Sequence, residues 1–397
     1  MITNRRIAPR RSIQATMMFI MALVMGALTT PPANAAEPAN PGKCDEYGSY
    51  EVCVTYAGKG TPDNLIYQRI KGKLDATASS PGADDYIRVS MYKWDINSTY
   101  GKAIAGSLKT AHNNGVSVRV VLSGASVNAQ ARAYFKGAGI DVVQCSGSCT
   151  EEPGGTNHNK FFLIKKGTTK LVLQTSANLS DSQGEHAQNL LVSRDDPELF
   201  SHYVNYWRRL YVNSWTWDGK TWDEADRARY GTNDLSRVYF YPMEEKQPLV
   251  GVLQNVTACA PGNDRVFVEA SLFDETFYSQ NVANELKRLH ALGCDVRVIL
   301  QKQSGVKTLT DPPLLGGYGF QGGVRCDGQH HNKLLLIDAQ YAGEWRKAVF
   351  VGSYNITKHS LREANDTMLR VVNGWVTNRY IDQFEKMWAN PRACDAE

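Results

Sequence analysis

The chain contains the same unit twice, and that repetition limits its fold more than any other feature. Residues 86–92 (YIRVSMY) read as a buried strand, followed by a helical stretch ending at His112 and, after Gly115, a second strand, VSVRVVL. In the second half 265–271 (RVFVEAS) is the strand, 281–291 (NVANELKRLHA) the amphipathic helix, and Gly293 leads into CDVRVIL. Each half then reaches a His-x-Lys followed by an apolar run: His158-Asn159-Lys160-Phe-Phe-Leu-Ile and His331-Asn332-Lys333-Leu-Leu-Leu-Ile. Each continues to a Ser-x-Asn, Ser176-Ala177-Asn178 and Ser353-Tyr354-Asn355, and closes with an aromatic-rich helix around 200–211 and 380–388. The two histidines are 173 residues apart and the two serines 177, so order and spacing agree throughout. Short β-rich runs alternating with helical periodicity predict an α/β fold. Two similar α/β/α halves are expected, mixed sheets flanked by helices, related by a pseudo-twofold axis. Two copies at so long a period do not make a solenoid.

The repeated residues carry a definite chemistry. On a strand, alternation puts His158 and Lys160 on one face and Asn159 on the other, and likewise His331 and Lys333. The serine and asparagine of each Ser-x-Asn share a face in the same way. Packed about a twofold, the halves gather two imidazoles, two ammoniums and two amides. Lys160, Lys333, Asn178 and Asn355 can hold the non-bridging oxygens of a phosphodiester while one imidazole attacks phosphorus and the other protonates the leaving oxygen. Either lysine is costly to bury beside an apolar run without a partner, and a bound phosphate is such a partner. Ser176 and Ser353 are expected to support rather than react. No metal or other cofactor is required, so activity should survive a chelator. His330 adjoins His331 but faces the other way and reads as structural.

The run His331-Asn332-Lys333-x-x-x-x-Asp338, with Gly352-Ser353-Tyr354-Asn355 after it, resembles the full signature of the phospholipase D superfamily. The resemblance covers most of residues 84–390. It implies a phosphohistidine intermediate resolved by water or an alcohol, with His158 as nucleophile and His331 as general acid. Asp366, eleven residues after Asn355, stands where the family often places an acid that fixes the catalytic imidazole. The first motif departs from the pattern: Lys165 occupies the place of Asp338, Thr175 that of Gly352, and Asn189 stands eleven residues after Asn178. On sequence alone Asp338 and Asp366 are expected beside His331, while Glu185 is a candidate to orient His158.

Residues 1–35 read as an export signal. Arg5, Arg6, Arg10 and Arg11 precede an apolar run and a small-x-small site, Ala33-Asn34-Ala35. The remaining organisation is a first repeat over 36–211, an inter-repeat segment over 212–236 and a second repeat over 237–397. The full chain has a formal charge of +4, and the leader holds four arginines and no acid, so the mature chain is near neutral. It lacks the cationic footprint of a nucleic-acid binder. All eight cysteines follow the leader, which in an exported chain argues for disulfides, with Cys44/Cys53 and Cys145/Cys149 as local pairs.

Export and neutral charge favour phospholipid headgroup esters as substrate, met at a membrane interface by a monomer with no stable nucleic-acid partner. A secreted nuclease, or other phosphodiesterase of the same fold, is the competing enzyme. A catalytically dead phosphate- or lipid-binding protein is the reading from another class. Trp215, Trp217 and Trp222 suggest a lipid-interface patch, against simple packing of an inter-repeat loop. Gly154-Gly155, Gly316-Gly317 and Gly322-Gly323 read as mobile loops bordering the site.

Overall fold

In the computed structural model, which describes residues 42, 44–56, 62–150, 154–260, 262, 264–310 and 323–394, the strands of the first half form one eight-stranded sheet. The leader and the glycines 316, 317 and 322 lie outside the described residues. The strands are β1 (Cys44–Tyr47), β2 (Tyr50–Val54), β3 (Tyr86–Met91), β4 (Ser117–Leu122), β5 (Asp141–Gln144), β6 (Lys160–Lys166), β7 (Thr169–Thr175) and β8 (Asn189–Arg194). Their order is β1-β2-β8-β7-β6-β3-β4-β5, with β3, β4 and β5 parallel and the other neighbours antiparallel.

A two-stranded hairpin, β9 (Thr216–Trp217) with β10 (Lys220–Thr221), follows. The second sheet then comprises β11 (Ala228–Tyr230), β12 (Ser236–Phe240), β13 (Val256–Ala258), β14 (Arg265–Ala270), β15 (Asp295–Leu300), β16 (Val324–Cys326), β17 (Lys333–Tyr341), β18 (Glu344–Gly352) and β19 (Thr367–Val372). Its order is β11-β12-β19-β18-β17-β14-β15-β16, with β13 pairing β17 off that path. Strand for strand this repeats the first sheet, edge hairpin included. The duplication thus reaches further than the motifs: β1–β2 and β11–β12 are counterparts, and β11 lies inside the segment expected to separate the repeats.

Apolar side chains on both faces of each sheet build three cores. Helices Leu65–Ala78, Thr99–Asn113 and Asn128–Gly137 cover the outer face of the first sheet. Helices Pro248–Gln254, Phe277–Ala291 and Gln303–Thr310 cover that of the second. Between the sheets lies the largest core, where the aromatic-rich helices Pro197–Val212 and Gly374–Ala389 meet residues from both inner faces. Near-continuous apolar strands are what double-sided burial requires. Pro197 at the first turn and the Asp196 cap start one of these helices, and Asn373 caps the other.

Two of the three inter-repeat tryptophans, Trp215 and Trp222, belong to this central core. Trp215 and Trp222 are buried, stacked on Tyr206 and Phe240, with Arg227 over Trp215 and Arg209 over Trp222. Only Trp217 is partly exposed. The cysteines form four disulfides, Cys44–Cys53, Cys145–Cys149, Cys259–Cys294 and Cys326–Cys394. Among the described residues, no helix is long and apolar enough to cross a membrane.

Candidate active site

Each His-x-Lys enters the sheet at the same point. Lys160 opens β6 opposite Met91, the last residue of β3, and Lys333 opens β17 opposite Ala270, the last residue of β14. The motifs therefore sit at the carboxyl ends of the parallel strands, where open α/β sheets place their ligand crevices. The histidines lie just before the strands, and reciprocal backbone bonds join them to the opposite repeat. His158 N–H donates to Asn365 O at 2.9 Å, and His331 N–H donates to Ala187 O at 2.9 Å. Such swapped contacts are what a twofold relation produces. Gly155 is part of this seam, because a Cβ there would stand 2.1 Å from the carbonyl of Glu363.

The two imidazoles are held differently. His158 Nδ1 donates to Asp366 Oδ1 at 2.8 Å, across the repeats. Burial and Lys160 push His158 down to about 4, against the pull of Asp366. Burial alone would raise Asp366, but His158, Lys160 and the hydroxyl of Ser353, donating at 2.5 Å, hold it at about 2. His331 Nδ1 instead meets a backbone carbonyl, Ser176 O at 3.0 Å, with Lys333 Nζ 3.1 Å from the same nitrogen. Burial and then Lys333 push His331 well below its ordinary range. Asp366 therefore serves His158, not His331, and Glu185 is not the orienting group.

Asp338 is not at the site at all. It lies five residues along β17 from Lys333, roughly 17 Å at strand rise, and pairs with Lys347 at 2.9 Å. The counterpart of Asp366 also differs from the count of eleven residues. Ser353 donates its N–H to Thr367 O and accepts from Thr367 N–H on its Oγ, as Ser176 does with Asn189, so Thr367 matches Asn189 and Asp366 matches Gln188. The first repeat's loop is one residue shorter, which conceals the match. Ser176 Oγ accordingly donates to Gln188 Oε1 at 2.7 Å, as Ser353 Oγ does to Asp366. Both serines are buried, their hydroxyls engaged within the protein.

The motif lysines are both buried, and Lys160 acts electrostatically on Lys333. Lys160 Nζ donates to His158 O at 2.7 Å, and Lys333 Nζ to His331 O at 2.8 Å and Ser271 Oγ at 2.9 Å. Burial brings Lys160 down to about 7, with Asp366 opposing and Lys93 adding, and drives Lys333 well down. Asn178 and Asn355 are buried, and the Oδ1 of each lacks a protein partner. Two residues outside the motifs join the site: Tyr92, edge-on to His158 at 4.7 Å and beneath Lys160, and its counterpart Ser271. Strand register is the signal that leads to them, since each immediately follows the residue paired with a motif lysine.

The middle residue of each motif fastens the halves. Thr367 Oγ1 donates to Asn159 Oδ1 at 2.5 Å, and Asn189 Nδ2 donates to Asn332 Oδ1 at 2.7 Å. Asn332 in turn donates to the buried Glu269 at 2.8 Å. His330 is buried beside this polar layer, its Nδ1 3.9 Å from Glu269. Glycine at 352 has a steric cause, since a Cβ there would lie 1.9 Å from Thr367 O; in the first repeat Thr175 instead donates its hydroxyl to Asn189 O at 2.8 Å.

The duplicated α/β scaffold buries both motif lysines and brings His331 within the electrostatic influence of Lys160 and His158 of the other repeat. A family model for the cardiolipin synthase, PLD-like domain matches residues 81–211 and 265–388, and the chain belongs to the phospholipase D superfamily of phosphodiesterases. By sequence, no curated protein matches it. Among solved structures it is similar to the polyphosphate kinase of Porphyromonas gingivalis, with TM-score 0.54 and 18% identity over 80% of this chain and 48% of that one. It is also similar to the phosphatidylserine synthase of Haemophilus influenzae Rd KW20, with TM-score 0.53 and 12% identity over 81% of this chain and 84% of that one. The chain thus spans about half the length of the kinase; both likenesses are of fold.

Proposed function

We propose that the chain is a secreted phospholipase D-type enzyme that hydrolyses phospholipid headgroup esters through a phosphohistidine at His158. The observation that carries the assignment is the 2.8 Å bond from His158 Nδ1 to Asp366. It fixes the hydrogen on Nδ1, turns the Nε2 lone pair toward substrate, and supplies a carboxylate to balance the cation formed on phosphorylation. His158 Nε2 attacks phosphorus as the phosphorus–headgroup oxygen bond breaks, and His331 gives that oxygen its proton. His331 sits low before substrate arrives, so it takes up this proton as the anionic phosphate enters. Lys160, Lys333, Asn178 and Asn355 hold the non-bridging oxygens. Water, deprotonated by the now neutral His331, then displaces His158 and releases phosphatidic acid.

The choice of lipid rests on three supports. The family model is named for a phospholipid-forming enzyme. The chain without its leader is near neutral, which disfavours long nucleic-acid contacts. Four disulfides fit an oxidising destination, where membrane phospholipid is met from outside. Purified protein should release choline from phosphatidylcholine vesicles and leave supercoiled plasmid intact. Plasmid nicking without choline release would make it a nuclease. Failure to turn over even a soluble chromogenic phosphodiester would make it a binding protein. N-terminal sequencing of protein from the culture medium should begin near Ala36.

A further inference from the structure

Away from the histidines, the second repeat carries two arginines side by side that form no ion pair among the described residues. Arg237 of β12 and Arg370 of β19 are direct cross-strand neighbours. Arg370 lies four residues past Asp366, which immediately precedes β19, roughly 13 Å away at strand rise. Like charges directly opposite one another destabilise a sheet. Each guanidinium has one hydrogen-bond acceptor: Tyr230 Oη accepts from Arg237 Nη1 at 2.9 Å, and Asp234 O accepts from Arg370 Nη2 at 2.9 Å. The Nε of each is buried and unpartnered, and Arg370 is only 5% exposed. Both line a groove of about 520 Å³ that also holds Tyr239, Tyr341 and Lys246 and opens beside the exposed Tyr230. Glu224, the acid lining it among the described residues, accepts from the backbone N–H groups of Glu245 and Lys246 at 2.9 and 3.1 Å.

The first repeat shows what this position holds when it is balanced. By strand register the counterpart of the Arg237/Arg370 pair is Glu51/Val192. The buried Glu51 carboxylate there is gripped by Arg69 and by Lys73 at 2.8 Å, both from the covering helix. One repeat thus surrounds its own carboxylate with two cations, and the other presents two cations around an open groove. We propose that this groove is a second anion site, taking a phosphate-bearing group where the first repeat has Glu51. Paired guanidiniums suit the oxygens of a phosphate bidentately, and the tyrosine and aliphatic walls suit an organic ester.

The test compares wild type with R237E, which places a carboxylate beside Arg370 much as Glu51 stands in the first repeat, and with R237Q in case the charge reversal fails to fold. Phosphate held at His158 and His331 is common to all three and subtracts out of the comparison. One arm measures binding of glycerol 1-phosphate by calorimetry, the other co-flotation with phosphatidylcholine vesicles containing phosphatidic acid. Wild type should bind one more equivalent than R237E, with R237Q weakened about tenfold or more, and all three should turn over a soluble chromogenic phosphodiester equally. A difference with glycerol 1-phosphate identifies a free phosphate ester as sufficient, and a difference only with vesicles identifies a lipid headgroup. Equal binding by wild type and both variants in both arms would overturn the proposal.

Discussion

His158 and Asp366 come from different repeats, 208 residues apart in sequence, yet share a 2.8 Å hydrogen bond in which the imidazole donates through Nδ1. His331 has no such acid, and its Nδ1 meets the carbonyl of Ser176. A carboxylate can stabilise a positively charged phosphohistidine, whereas a carbonyl does little more than orient a neutral ring. That asymmetry is the support for proposing His158 as the nucleophile, although the first motif departs further from the family pattern.

The first prediction separates the histidines with a substrate whose leaving group needs no protonation. H331A should still release the leaving group in a single-turnover burst within about tenfold of the wild-type rate, because the proton it supplies is then dispensable, and stall as the phosphoenzyme, while H158A should give no burst. Peptide mapping of the trapped phosphoenzyme should find the label on His158. An active H158A with a dead H331A would reverse the roles.

Asp366 and Asp338 should behave oppositely. D366N keeps the size of the side chain but removes the charge and disturbs the tautomer of His158, and should lower kcat roughly 10²–10⁴-fold with little change in KM. D338N breaks only a partly exposed pair with Lys347, and should change stability by less than about 1 kcal/mol and leave kcat near wild type. Equal losses in both variants would refute the cross-repeat assignment.

The reach of the sequence is visible in this pair of acids. Histidines, lysines, asparagines and the twofold arrangement were legible because local spacing repeats them. Which carboxylate serves which histidine was not, because it depends on how the halves dock. Asp338 misleads because strand alternation says nothing about distance along the strand. Gln188 escaped because the first repeat's loop lost a residue, so counting landed on Asn189. Trp215 and Trp222 illustrate a different gap: an aromatic run between repeats has the same pattern whether it meets lipid or core.

Lys160 gives the reaction an alkaline limb. Burial brings its ammonium down to about 7, with Asp366 opposing and Lys93 adding. As pH rises through 7 the free enzyme loses this charge, so kcat/KM for an anionic diester should fall. K93Q removes a repelling cation and should move the limb to higher pH. A limb that K93Q leaves in place would assign it to another group.

Glu269 sets a pH dependence of stability rather than activity. Burial raises its carboxyl from 4.5 to about 8, with Asn332 opposing and Asp327 adding. Below pH 4.5 the group is protonated folded or unfolded and costs nothing. Between 4.5 and 8 the unfolded chain releases a proton that the folded chain retains, so stability falls with pH, at about 1.4 kcal/mol per unit. E269Q carries no charge to bury, and its Tm should exceed that of wild type by a margin that grows up to pH 8 and then levels. A margin constant with pH would show that Glu269 is not neutral in the fold.

The bonds from Thr367 to Asn159 and from Asn189 to Asn332 run between the motif of one repeat and the opposite sheet. Docking of the halves and assembly of the reaction centre are therefore a single event. If the gene were divided in the 212–227 stretch and the pieces expressed as separate chains, each would hold half of a phosphate cradle. Catalysis would then become a bimolecular property, rising with the product of the two concentrations, and the tether between the repeats acts in effect as a very high local concentration of one half for the other.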